Sequence, residues 1–184
     1  MLEKSHSLKP VPRILIVEDE QIVAMDISIS LEGMGYKVVG NTVSGAETLV
    51  MAEQMRPDLV LVDVYLQGAM DGIELARLLR DELHLPVVFL TAYSEDDLIQ
   101  RVKEVEPFGY ILKPFENREL RIVIEMALYK HQIESALRQK YAEIDRFNKV
   151  TMGRELRMIE LKQEINDLLR ASGQAEKYRI VNDG

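Results

Sequence analysis

Residues 58–63 read Asp-Leu-Val-Leu-Val-Asp, and this stretch decides the fold class of the chain. Its four apolar residues are consecutive rather than alternating with polar ones, which is what a strand covered on both faces requires. Four further runs rich in Val, Ile and Leu have a similar character: Arg13–Glu18, Tyr36–Asn41, Pro86–Leu90 and Phe108–Leu112. Five such runs predict the strands of a parallel sheet.

The segments between these runs have the periodicity of helices. The apolar residues that mark four predicted stripes are Ile22, Met25, Ile29 and Met34; Ala46, Leu49 and Ala52; Ile73, Leu75, Ala76 and Leu79; and Leu98, Val102 and Val105. Ser44 and Ser94 stand where helix N-caps belong. Alternation of strands and helices implies right-handed crossovers, so we predict an α/β fold with a doubly wound, five-stranded parallel sheet.

Polar residues gather where the predicted strands end. Sites in doubly wound folds lie at the carboxyl ends of strands. The residues at these ends are Glu18, Asp19, Glu20, Asp63, Thr91 and Lys113, the last followed by Pro114. Like charges about 4 Å apart repel by roughly 4 kcal/mol at an effective dielectric near 20, so the acids need a cation or a raised pKa. Several carboxylate oxygens suit Mg²⁺. Each acid taken singly could simply cap a helix or a loop, but the set in this order favours a site.

Composition and charge exclude several kinds of protein. The 184 residues contain no Cys, which excludes disulfides, thiolate zinc sites and a cysteine nucleophile. No apolar run approaches the roughly 18 residues that span a bilayer, and the first residues carry no export signal, so we expect a cytoplasmic protein that does not bind membranes. Residues 1–118 hold 20 acidic against 11 basic side chains, which argues against nucleic acid as a partner.

Five stretches together resemble the response-regulator receiver domain of two-component signalling. They are ILIVEDE (14–20), DLVLVDVYL (58–66), MDGIELA (70–76), PVVFLTAYS (86–94) and GYILKPF (109–115), and they occur in family order within residues 13–118. The resemblance implies a flavodoxin-like sheet with strand order 2-1-3-4-5. It also implies a signalling domain rather than an enzyme, with at most self-phosphorylation from small phosphodonors and autodephosphorylation.

The resemblance implies a role for each site residue. Asp63 would accept a phosphoryl group from a sensor histidine kinase. Mg²⁺ would be held by Glu18, Asp19, Asp63 and the backbone carbonyl of Tyr65. The residues that would sense or bind the phosphoryl group are Thr91, the switch hydroxyl; Lys113; and Tyr110, the aromatic that changes rotamer. Pro114 would follow a cis peptide bond. The surface of the fourth helix, fifth strand and fifth helix would then change its affinity for a downstream protein.

The chain departs from the family pattern around the acceptor. Gly72 lies nine residues after Asp63 rather than eight, the usual loop proline is absent, and Gln67-Gly68 is expected to form the longer turn. Glu18 stands where Asp is more frequent. Tyr65 and Tyr93 flank the acceptor, and we hypothesise that their rings hinder the attacking water and prolong the phosphorylated lifetime.

The C-terminal third predicts one long helix. From Glu116 to Ser172 there is no Pro and only Gly153 among the glycines. With Leu137 at a, the a positions are Leu137, Ile144, Thr151, Met158, Ile165 and Ser172, and the d positions are Ile133, Lys140, Phe147, Arg154, Leu161 and Leu168. Eight of these twelve are apolar, which favours a coiled coil. Gly153 costs about 1 kcal/mol relative to Ala, so the helix is expected to bend or break there.

These patterns predict a division into four parts: a flexible arm (1–12), a receiver domain (13–130), a helical coiled-coil extension (131–172) and a flexible tail (173–184). For the extension, a parallel homodimer is favoured, and a hairpin, a linker to a further domain and a solvated helix stay open. The favoured function is a phosphorylation switch for protein association. The alternatives are a receiver fragment of a hybrid sensor kinase, a nucleic-acid-binding regulator that uses the tail, and a phosphatase built on a similar sheet.

Overall fold

The computed structural model describes residues 10–66, 70–92 and 105–179. Its elements are β1 (Arg13–Val17), α1 (Gln21–Gly33), β2 (Lys37–Thr42), α2 (Gly45–Met55), β3 (Leu59–Asp63), α3 (Gly72–Asp81), β4 (Val87–Thr91), β5 (Gly109–Leu112) and α4 (Asn117–Ala171). The sheet formed by these residues has five strands in the order β2-β1-β3-β4-β5, and every pairing is parallel. The predicted doubly wound, flavodoxin-like α/β fold is confirmed.

Successive residues of the strands face opposite sides of the sheet and enter two separate cores. Leu15 and Val17 of β1 pack with α2 and α3, while Ile14 and Ile16 pack with α1 and the start of α4. All four side chains are fully buried. Because both faces of the sheet are covered, apolar and polar residues do not alternate along the strands. The strands are therefore continuous apolar runs, and these runs predicted their positions. Each predicted strand agrees with the structure to within one residue at either end.

The apolar stripe predicted for α1 is wrong. The residues that face the sheet are Ala24, Ile27 and Leu31, whereas Ile22 is 86% exposed and Met25 and Ile29 are also exposed. Both sets recur at helical spacing, so periodicity could not choose between them. In α2 the buried residues are Gly45, Thr48 and Ala52, and Ala46 of the predicted stripe is exposed. The stripe predicted for α3 is buried throughout.

Helix starts follow the predicted chemistry where the structure describes them. The Ser44 hydroxyl accepts a hydrogen bond from the Glu47 amide at 3.4 Å and caps α2. Ser94, Leu98 and Val102, assigned to a fourth helix, lie outside the described residues, as do Gln67-Gly68 and Tyr93. Across the ranges described, no helix combines the length and apolar character needed to cross a membrane.

Helix α4 is 55 residues long and continuous through Gly153, so the predicted break there does not occur. A Cβ added at Gly153 would meet nothing within 4 Å, which means that no packing requirement selects glycine at this position. The chain forms two compact units, one ending at Ile133 and the other beginning at Glu134.

Residues 174–179, which the sequence assigns to a flexible end, lie against the last turns of α4. The Asn166 side chain accepts hydrogen bonds from the amides of Lys177 and Tyr178, both at 3.0 Å, and donates to the Tyr178 carbonyl at 2.7 Å. Arg170 forms an ion pair with Glu176. Asn166 is only 4% exposed, and these three bonds satisfy its buried amide group.

Candidate functional site

The carboxyl edge of the sheet collects the polar residues singled out in the sequence. Glu18 and Asp19 follow the last residue of β1, Asp63 is the last residue of β3, and Lys113 follows β5. Parallel pairing of β1 with β3 and of β3 with β4 brings these strand ends side by side. The fold therefore converts residues separated by up to 95 positions into one cluster.

Lys113 lies between two buried carboxylates. Its ammonium nitrogen Nζ is 2.5 Å from Oε2 of Glu18 and 2.5 Å from Oδ2 of Asp63. Glu18 is 1% exposed and Asp63 7% exposed, so water screens these charges little. The second oxygen of Asp63, Oδ1, accepts a hydrogen bond from the Tyr65 amide at 2.9 Å. Both carboxylate oxygens of Asp63 are thus held in place.

The electrostatics of the cluster follow from burial and from this shared ammonium. Burial raises the pKa of the Glu18 carboxyl; the hydrogen bond from Lys113 opposes this and the negative charge of Asp63 adds to it, and the net direction is upward. Burial alone would lower the pKa of Lys113, but its hydrogen bonds to Asp63 and Glu18 together with the negative charges of these two carboxylates outweigh burial and raise it. Lys113 therefore stays charged, and the carboxylates stay crowded.

The same acids form a group suited to a divalent cation. Glu18, Asp19 and Asp63 each offer a carboxylate oxygen, and the three oxygens lie within 4.8 Å of one another. An all-oxygen set with two or three carboxylates fits Mg²⁺, which keeps several waters and takes few protein ligands. The residues present therefore fit the predicted ion.

Thr91 and Tyr110 occupy different environments. Thr91 ends β4, directly after the residue that pairs with Asp63, and is 6% exposed. Its carbonyl accepts a hydrogen bond from the Lys113 amide at 2.7 Å, which ties β4 to the residue bearing the ammonium. Tyr110 lies in β5 and is 66% exposed. The peptide bond between Lys113 and Pro114 is cis.

Gly72 lies against Asp63 in a way that its motif did not reveal. A Cβ built on Gly72 would overlap the backbone carbonyl oxygen of Asp63 and crowd Val64. The Gly72 amide donates a hydrogen bond to the Val64 carbonyl at 3.3 Å, and Asp71 caps α3 through the Glu74 amide at 2.8 Å. The start of α3 is therefore pressed against the end of β3, where only glycine fits.

Replacing Gly72 by Ala is expected to destabilise the fold by about 1–3 kcal/mol, because the added methyl must push β3 and α3 apart. Urea unfolding followed by circular dichroism measures the change. Gly33→Ala is the matched control, since a Cβ at that position meets nothing within 4 Å. Equal stabilities for the two variants would contradict the close approach.

Comparison with known proteins supports one family. A family model described as the response regulator receiver domain matches residues 14–125. The transcriptional regulatory protein PdtaR of Mycobacterium tuberculosis is 36% identical over 132 residues, which cover 72% of this chain and 64% of that protein. The phyllosphere-induced regulator PhyR of Methylorubrum extorquens is 37% identical over 65% of this chain and 44% of its own length. The chain therefore spans less than two thirds of these relatives.

Solved structures give the same result. The signal receiver domain of a modulated diguanylate cyclase from Desulfovibrio desulfuricans is 42% identical and superimposes with a TM-score of 0.65, covering 67% of this chain and 98% of that one. Residues 14–125, which the family model matches, contain the acidic cluster of Glu18, Asp19 and Asp63 and all but the first residue of the five-stranded sheet. This chain belongs to the response regulator receiver domain family.

Proposed function

We propose that this chain accepts a phosphoryl group on Asp63 from a sensor histidine kinase, with Mg²⁺ as cofactor, and thereby switches a protein-interaction surface. One observation carries the proposal. The ammonium of Lys113 lies 2.5 Å from Asp63, and carboxylate oxygens of Glu18 and Asp19 lie within 4.8 Å of an Asp63 oxygen. A carboxylate surrounded in this way is positioned for a reaction in which negative charge must be neutralised.

Different groups of the cluster would hold the metal ion, orient Asp63 and bind the phosphoryl group. Glu18, Asp19, Asp63 and the backbone carbonyl of Tyr65 would hold Mg²⁺, which when bound supplies positive charge beside phosphoryl oxygens. The Tyr65 amide holds Asp63 Oδ1 in orientation. Lys113 already touches the acceptor, so its ammonium needs only a small movement to bind an incoming phosphoryl oxygen.

The transfer itself conserves atoms and electrons. A carboxylate oxygen of Asp63 attacks phosphorus, a new P–O bond forms, and the P–N bond to the donor histidine breaks. The histidine nitrogen keeps the electron pair of that bond. The protein contributes positioning and charge stabilisation rather than acid–base chemistry.

The switch would start at Thr91 and continue to Tyr110. The Thr91 hydroxyl donates a hydrogen bond to a phosphoryl oxygen and moves toward it, and Tyr110 rotates from its exposed position into the space left behind. This changes the surface of β5 and of the first turns of α4, and so changes affinity for a downstream protein.

The remaining assignments are part of the same proposal. Residues 13–130 act as the receiver domain, and residues 131–172 form a helical extension through which two copies dimerise. In residues 134–171, apolar side chains at seam positions are exposed in the single chain, including Leu137, Ile144 and Phe147. Exposed apolar residues at heptad spacing are typical of a helix that pairs with another helix.

Incubation with acetyl phosphate and Mg²⁺ tests the proposal. Intact-mass spectrometry is expected to show one added phosphoryl group per chain, and omission of Mg²⁺ together with a chelator is expected to prevent the addition. A chain that gains no phosphoryl group, from acetyl phosphate or from a panel of phosphorylated histidine kinases, would refute the proposed function.

A further inference from the structure

The residues that follow α4 fold back over one side of its last turns. The a and d positions of the heptad register, called the seam here, stay exposed. Residues 174–179 lie over Asn166, a b position of the heptad register. The seam residues beside this flank are exposed: Met158 by 56%, Leu161 by 43%, Ile165 by 38% and Leu168 by 71%. The segment therefore leaves the a and d side chains of the helix end exposed, while its Tyr178 ring lies 6.0 Å from the Lys162 ammonium at an e position.

A parallel pairing of this seam places like side chains against each other. Each a or d residue then faces its own copy, so Lys140 meets Lys140 and Arg154 meets Arg154 within the core. Thr151 also meets Thr151. On the flank, Arg157 at g approaches Lys162 at e of the second copy, which is a repulsive pair. The sequence offers no acidic residue in the seam to offset these charges.

An antiparallel pairing centred between residues 159 and 160 removes these conflicts. Met158 then faces Leu161 of the second copy. The three polar seam residues of the overlap each face an apolar one: Arg154 faces Ile165, Thr151 faces Leu168, and Ser172 faces Phe147. Lys140 falls outside the overlap of residues 147–172. The aliphatic stem of Arg154 can lie along Ile165 while its guanidinium reaches water.

The flanking charges favour the same register. In this pairing Arg157 faces Glu164 of the second copy and Glu155 faces Lys162, each occurring twice by symmetry. Within one chain Arg157 already pairs with Glu160 at 2.9 Å and lies 4.0 Å from Glu164. These groups are about 60% exposed, so their exchange for partners on a second helix costs little.

From this charge and core complementarity we infer that the segment 147–172 is a docking surface for a second copy of this chain in antiparallel orientation. The inference rests on the proposed dimerisation; it replaces the parallel orientation favoured from the heptad pattern alone with an antiparallel one, and it adds the register. In heptad pairs, charges at e and g set orientation, and these charges fit one orientation only.

Cysteine cross-linking in the full chain tests the orientation, because the natural sequence contains no Cys. One chain carries Thr151→Cys and a second, tagged chain carries Leu168→Cys. Antiparallel pairing is expected to give the mixed disulfide on mild oxidation and no disulfide within either variant alone, since the self-pairs are then about 25 Å apart along the axis. Self-disulfides without the mixed product would overturn the inference.

A charge exchange provides a second test. Arg157→Glu and Glu164→Arg each create repulsive pairs in an antiparallel homodimer, so each variant alone is expected to dimerise about tenfold more weakly in sedimentation equilibrium. An equimolar mixture is expected to recover the original affinity as a heterodimer, because both cross-chain pairs become attractive. Arg146→Glu, at the outer c position, is the matched control and is expected to change nothing. A mixture no tighter than its components would contradict the register.

The outcomes separate the two proposals. A monomeric mass for the unmodified chain by light scattering would remove the proposed dimer and this inference together. A dimer that yields only self-disulfides would remove the antiparallel register and leave the dimer intact. Phosphoryl uptake by Asp63 is measured independently of both.

Discussion

Asp63→Asn is expected to abolish phosphoryl uptake from acetyl phosphate, with a loss of at least about 10³-fold in rate. The amide oxygen of Asn carries no negative charge and is a far weaker nucleophile than a carboxylate. The substitution also removes the charge that Lys113 contacts at 2.5 Å and one of the three clustered carboxylate oxygens. Intact mass after reaction with acetyl phosphate and Mg²⁺ reports the result directly.

Asp58→Asn is the matched control for this experiment. Asp58 precedes the same strand at its opposite end, where its carboxylate accepts a hydrogen bond from the Arg13 amide at 2.7 Å. Its variant is expected to take up phosphate at the normal rate. Uptake that persists in the Asp63 variant would show that another group is the acceptor, and peptide mapping would identify it.

Lys113→Gln is expected to destabilise the Mg²⁺-free protein by about 3–5 kcal/mol at neutral pH, because it leaves two buried carboxylates without their cation. Glu18 and Asp63 are 1% and 7% exposed, so water cannot replace the lost ammonium. Urea unfolding at pH 7.5 in the presence of a chelator measures the loss. Added Mg²⁺ is expected to recover part of it, since an ion held by the clustered carboxylates would bind the folded state alone.

The loss is also expected to shrink as the pH falls. Burial already raises the pKa of Glu18, and the Lys113 hydrogen bond is the largest effect that opposes this rise. Removing Lys113 therefore raises the Glu18 pKa further, and a protonated Glu18 no longer repels Asp63. A group whose pKa is higher in the folded state favours folding below its unfolded pKa, near 4.5, and that contribution disappears as pH rises through the folded value.

Lys140→Gln is the control for this substitution, because Lys140 pairs with Glu143 at 2.8 Å on an exposed helix face and is expected to contribute little. If Lys113→Gln proved as harmless as Lys140→Gln, or if its effect did not depend on pH, the carboxylates would not be electrostatically coupled through Lys113. The stability of the acidic cluster would then need another explanation.

Much of the fold could be predicted because burial on both faces leaves a strong pattern. The five strands read as apolar runs, and parallel order follows from the helices between them. The site could be predicted in outline for the same reason, since the rule that sites lie at carboxyl ends selects Glu18, Asp19, Asp63 and Lys113 from a chain rich in acids. The resemblance to receiver domains then supplied their expected roles.

The helix faces could not be predicted in the same way. Two sets of apolar residues in α1 have the same spacing: Ile22, Met25 and Ile29, and Ala24, Ile27 and Leu31. The first set was predicted to be buried, but the second set is buried and Ile22 is 86% exposed. The loops that connect a crossover helix to its strands determine which face of the helix packs on the sheet. That choice depends on geometry several residues away rather than on local hydrophobicity.

By itself, the sequence determined the class of fold, the order of its elements and the identity of the residues at the sheet edge, because these depend on patterns that repeat along the chain. Only the tertiary structure decided the contacts of those residues: Lys113 shared between Glu18 and Asp63, Gly72 pressed on the Asp63 carbonyl, and Asn166 bonded to residues 177 and 178. Such contacts join groups that are distant in the chain or held by steric fit. Their free energy depends on distances that exist only once the strands and helices have packed.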